Sequence, residues 1–92
     1  MLRLNCFFQA KDKTAFDKAL KAAVALTEKS VNHEGNIAYD VFASATRPLV
    51  FMICETWKDQ AALDKHAATP EFIANVGIMN ECGLLKLEQF EF

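Results

Sequence analysis

The segment Leu49–Trp57, LVFMICETW, is apolar at almost every position. In a strand of that length Leu49, Phe51, Ile53, Glu55 and Trp57 share one face, and Val50, Met52, Cys54 and Thr56 share the other. Both faces call for burial, whereas a strand of an antiparallel sheet often keeps one wet side. A chain of 92 residues has room for one domain, residues 1–92, and leaves a large share of its surface uncovered. The remaining sequence has to supply a cover for each side.

The first segment, Met1–Gln9, alternates Leu2, Leu4, Cys6 and Phe8 against Arg3, Asn5 and Phe7, the pattern of a strand. Asp12 or Thr14 then opens a helix in which Phe16, Ala19, Leu20, Ala23, Leu26 and Thr27 recur at helical spacing. Its end falls near Ser30–Gly35, where Gly35 suits a left-handed turn. Asn36–Ser44 alternates as a second strand, Ala45–Pro48 turns, and Leu49–Trp57 is the third strand. Asp59 caps a short helix to about Ala68, and Thr69-Pro70 starts another, since Pro is favoured at the first helical position. Phe72, Ile73, Val76 and Met79 form its apolar stripe, Gly83 ends it, and Leu84–Phe92 is a last strand.

The order β-α-β-β-α-β is the split βαβ of ferredoxin-like α+β folds, with helices on one face of an antiparallel sheet. The chain's own helices cover a single face. The rows Leu2, Leu4, Cys6, Phe8 and Val50, Met52, Cys54 are therefore expected to face outward and to be sealed by a second copy, giving a homodimer with sheets packed face to face.

Composition excludes several classes. A net charge of −2 with mixed acids and bases supplies no basic stripe for nucleic acid. The three Cys are widely spaced, with no C-x-x-C to suggest zinc or a redox pair, and read as small buried hydrophobes in a reducing compartment. The start does not fit a signal peptide, and no apolar run reaches membrane-spanning length, so a soluble, cytoplasmic chain without a membrane partner is expected. Gly-rich phosphate loops, G-x-S-x-G and H-E-x-x-H do not occur, and two histidines with scattered acids make no convincing metal set.

A few groups interrupt the apolar rows. His66 shares an inward stripe with Ala62 and Leu63, and imidazole has the resting pKa nearest neutrality; the plain alternative is a core-edge histidine bonded to a carbonyl. Glu55 is a carboxylate among apolar neighbours and must be paired, solvated or functional. Trp57 and Phe51, on the same face, are either core anchors or walls for a flat ligand. Asn5 is placed to share that face if the first and third strands are adjacent; a backbone hydrogen bond is its alternative. Tyr39 points a phenol toward the same space or fills the core. His33 reads as a solvated turn residue.

The ordered stretches HEGNIAYDVF, RPLVFMICETW and KDQAALDKHAATPEF resemble the antibiotic biosynthesis monooxygenase (ABM) domain, with its E-G-x-x-x-Y, P-x-x-F-x-x-x-E-x-W and A-L-x-x-H elements. The resemblance spans nearly the whole chain and is strongest over residues 34–72. It implies a dimeric α+β barrel. It also implies a pocket holding Asn5, Trp57 and His66 as catalytic residues, with Tyr39, Glu55, Phe72 and Phe51 against the substrate. Some members oxidise phenols or quinols with molecular oxygen and no metal or flavin, so no cofactor is expected. Others degrade heme with an Asn, Trp and His set, and a further branch isomerises a phosphorylated autoinducer sugar derivative. Glu71 stands where many members carry a second histidine, which departs from the pattern.

For a phenolic or hydroquinone substrate, the expectation is that His66 takes the hydroxyl proton, Asn5 bonds the developing oxyanion and Trp57 flanks the ring. The competing readings are an isomerase of a small phosphorylated substrate, for which Arg3 and Arg47 offer little support, a heme-degrading enzyme, and a non-catalytic dimeric binding module.

Overall fold

The computed structural model describes residues 1–92. Its elements are β1 (Leu2–Ala10), α1 (Lys13–Ser30), β2 (Asn36–Ala43), β3 (Val50–Trp57), α2 (Gln60–Ala67), α3 (Pro70–Cys82) and β4 (Gly83–Glu91). This is the expected β-α-β-β-α-β order, with the second helical segment broken at Thr69. The strands form one antiparallel sheet in the order β2-β3-β1-β4. The helices pack on one of its faces.

Local chemistry fixes each helix start. The Asp12 side chain accepts from Ala15 N at 2.8 Å, Asp59 accepts from Ala62 N at 2.9 Å, and Thr69 accepts from Phe72 N at 3.2 Å. Pro70 follows the Thr69 cap, where its missing N–H costs nothing. At the other end of α3, Gly83 lets β4 begin directly against β1, because a Cβ there would collide with the Gln9 carbonyl oxygen.

The register between β1 and β3 decides which side chains face the helices. Leu2, Leu4, Cys6 and Phe8 pair with Trp57, Glu55, Ile53 and Phe51, and all eight are buried. The expectation that the Leu2 row faces outward is therefore corrected: it is the inner row. Of the two rows on β1 it is the fully apolar one, and α1 covers it with Ala15, Ala19, Ala22, Ala23 and Leu26, whose small side chains let the helix lie close to the sheet. Phe8 and Phe51 stack at 4.7 Å at the centre of this layer. Burying each such ring contributes about 1.5–3 kcal/mol.

The outer side carries Val50, Met52 and Cys54, as expected, together with Arg3, Asn5 and Phe7 of β1. Phe42 of β2 and Leu84 and Phe90 of β4 lie on it too. Phe42 and Phe90 are 53% and 51% exposed, so this face carries bare apolar side chains within one chain, with Arg3, Asp40, Lys86 and Glu88 among them. No helix is long and apolar enough to cross a membrane.

Candidate active site

Between the inner side of the sheet and helices α2 and α3 lies a cavity of about 510 Å³. Leu4, Ile53, Leu63, Val76, Met79 and Leu85 give it an apolar wall. Cys6, Tyr39 and Glu55 supply polar groups from the sheet, and Phe72 closes one side from α3. The exposed Gln60, Asp64, Asn80 and Gln89 mark its open end, where Gln89 Nε2 donates to Gln60 Oε1 at 3.4 Å. The volume is in the range that holds a small organic molecule. No Lys, Arg or His lines it.

Glu55 is 4% exposed and has no basic partner. The Trp57 indole N–H donates to its Oε1 at 2.8 Å, and the Cys6 thiol lies 3.5 Å from its Oε2. Burial pushes the Glu55 carboxyl above the ordinary carboxylate range, and the two donors offset part of that rise. Burial, reinforced by the nearby Glu55, also pushes the Cys6 thiol and the Tyr39 phenol upward, so both stay neutral.

His66 lies behind this wall rather than in it. It is 1% exposed, and its ring centre is 4.5 Å from that of Trp57, 5.0 Å from Phe72 and 5.6 Å from Tyr39. Its Nδ1 is 2.9 Å from Nδ1 of His33, whose Nε2 is 3.5 Å from Glu71 Oε2. Burial, then the neighbouring His33, lowers the His66 pKa to about 4, so the ring is neutral. One Nδ1 donates to the other across the His33–His66 contact, and His33 Nε2 lies toward Glu71. The His66 Nε2 is buried and has no hydrogen-bond partner.

Gly35 makes the histidine contact possible. Its φ of +81° turns the chain into β2, and a Cβ there would strike the Ala62 side chain on α2. The turn therefore rests on α2 with His33 against His66. The reading of His33 as a solvated turn residue is corrected accordingly.

The structure brings Trp57, Glu55, Tyr39, His66 and Phe72 together and separates two others. Asn5 pairs with Cys54, so strand alternation sets it on the outer sheet face, where its Oδ1 accepts from Arg3 Nε at 3.3 Å. The Asn, Trp and His set is thus not assembled within the chain. Phe51 is fully buried between Phe8 and Phe16 and does not reach the cavity. Trp57, also fully buried, touches the cavity's chemistry through Glu55. No three His, Cys, Asp or Glu side chains are grouped to hold a metal ion.

The sequence pattern of the antibiotic biosynthesis monooxygenase family matches residues 1–76 of this fold. The chain belongs to that family. A Bacillus subtilis (strain 168) protein named "Putative monooxygenase YcnE" is 32% identical over 72 residues, covering 78% of this chain and 75% of that protein. A conserved protein of unknown function from Bacteroides thetaiotaomicron VPI-5482 is 48% identical, with a TM-score of 0.95 over 99% of this chain and 96% of that one. A crystal structure of an antibiotic biosynthesis monooxygenase is 29% identical, with a TM-score of 0.90 over 100% of this chain and 98% of that one. Membership of the ABM family carries a general monooxygenase-like function.

Proposed function

We propose that this chain oxidises a neutral phenol or quinol with molecular oxygen in the cavity beside Glu55, without metal or flavin. The observation that carries the substrate class is the lining: apolar walls, two carboxyl groups (Glu55 and Asp64) and no cation. Burying a phosphate there would leave its charge uncompensated beside acids, which disfavours the phosphorylated-sugar reading. A flat hydroxyarene has the shape and polarity that such walls accept.

Deprotonating the hydroxyl makes the ring electron-rich enough to reduce oxygen directly. One oxygen atom enters the ring and the other leaves as water, so a hydroxyarene and oxygen give a quinone and water. Trp57 serves this site from behind the wall by holding the Glu55 carboxyl in place, and His66 backs the Trp57 ring. A second copy seals the bare sheet face of Phe42, Leu84 and Phe90, giving a homodimer.

The test is oxygen uptake by chelator-treated, flavin-free protein with hydroxyarenes such as 1-naphthol under ¹⁸O₂. One labelled atom per quinone is expected. Absence of uptake with hydroxyarenes, alongside conversion of a phosphorylated sugar derivative, would overturn the reading.

A further inference from the structure

We infer that Glu55 is the group that takes the hydroxyl proton of the bound substrate, a role that rests on the oxidation of a hydroxyarene proposed above. The residue types alone favour His66 for this task, but position decides against it. His66 is enclosed by Trp57, Tyr39, Phe72 and His33, and its unpartnered Nε2 does not form part of the cavity wall. Glu55 does form part of that wall.

The carboxyl is also held in a usable way. Its Oε1 is occupied by the Trp57 N–H at 2.8 Å, while Oε2 has only the weak Cys6 thiol contact at 3.5 Å. Oε2 therefore keeps a lone pair for a ligand. In the step, the substrate O–H bond breaks, its proton moves to Oε2, and the bonding pair stays on the ring oxygen. Oxygen, the oxidant already named, then meets an anion rather than a phenol.

The other titratable groups around the cavity do not compete. Cys6 from β1 and Tyr39 from β2 are both held neutral, and Asp64 from α2 stands at the open end. Neither α1, α3 nor β4 presents a charged group to the cavity. A base is effective when its pKa lies nearer the working pH, and burial moves Glu55 in that direction. Trp57 is then a positioning residue, since it acts through Glu55.

The experiment joins two readouts on the intact chain. In the first, infrared difference spectra of protein carrying ¹³C-labelled glutamate follow Glu55 while 1-naphthol is added. A hydroxyl donating to Oε2 favours the carboxylate, so its band should grow in wild type and be absent in Glu55→Gln. An unchanged carboxyl signal with naphthol bound overturns the inference. In the second, Glu55→Gln, which keeps an amide oxygen for Trp57, should lower kcat by about 10²–10⁴-fold with little change in KM. It should also abolish the rise of kcat with pH, whereas Glu55→Asp retains that rise.

If Glu55→Gln fails to fold, the wild-type spectra and Glu55→Asp carry the test. Turnover by Glu55→Gln within tenfold of wild type overturns the inference. A carboxylate response without oxygen uptake by wild type supports the Glu55 contact and overturns the oxidation reading alone. No binding of 1-naphthol up to its solubility overturns both.

Discussion

Trp57 donates its indole N–H to Glu55 across 2.8 Å, and the two residues stand two apart on the inner side of β3. Glu-x-Trp is therefore one unit made by strand alternation. The indole holds the carboxyl, and the His66 ring, 4.5 Å away, holds the indole. A short motif thus reaches from the helix layer to the cavity.

Replacing Trp57 with Phe keeps the ring and removes the donor. The bond favours the charged carboxylate, so its loss moves Glu55 further up. The rise of activity with pH should shift to higher pH, and stability should fall by about 1–3 kcal/mol. Steady-state rates across pH and urea unfolding measure the two effects.

Stability should respond to pH through two buried groups of opposite sign. The folded-state pKa of His66 is lowered to about 4 from 6.5, so its contribution is complete above 6.5 and is lost as pH falls toward 4, a change of about 3 kcal/mol. Glu55 is raised above 4.5, so its contribution is complete below 4.5 and declines as pH rises toward its folded value. Urea unfolding from about pH 4 to pH 8 should show both slopes. His66→Phe should flatten the acid side, and Glu55→Gln the other.

Gly35→Ala should cost about 1–3 kcal/mol from the left-handed backbone alone, with the Ala62 collision added. The His33–His66 contact should loosen with it. Thermal unfolding gives the first, and the imidazole proton shifts in NMR give the second.

Phe42→Glu places a charge on the bare sheet face, on its edge strand β2. The proposed dimer should dissociate, halving the mass seen by sedimentation at micromolar concentration. A wild-type chain that sediments as a monomer would remove the two-copy arrangement.

The fold was legible because each element announced itself locally. Asp12, Asp59 and Thr69-Pro70 marked the helix starts, and period-two apolar rows marked the strands. The sidedness of β1 was misread although its Leu2 row is the fully apolar one and its other row carries only Phe7 among Arg3, Asn5 and Gln9; the pairing of Leu4 with Glu55 sets the Leu2 row against the helices. That one-residue parity also decided Asn5, which shares a strand with the Glu55 neighbours but not a face. Glu55, Trp57 and Tyr39 were legible as neighbours from β-strand parity, and Phe72 joined them only through the family resemblance. His33 was not, because its partner depends on how the Gly35 turn rests against α2, a contact between segments 31 residues or more apart in the chain.

A single amide–amide bond between Gln60 and Gln89, 3.4 Å long and exposed to water, spans the open end of the cavity. Parting it costs on the order of 1 kcal/mol. A bond that weak sets no selectivity at the mouth, so trimming either glutamine should change how fast a guest comes and goes rather than which guest the apolar walls favour.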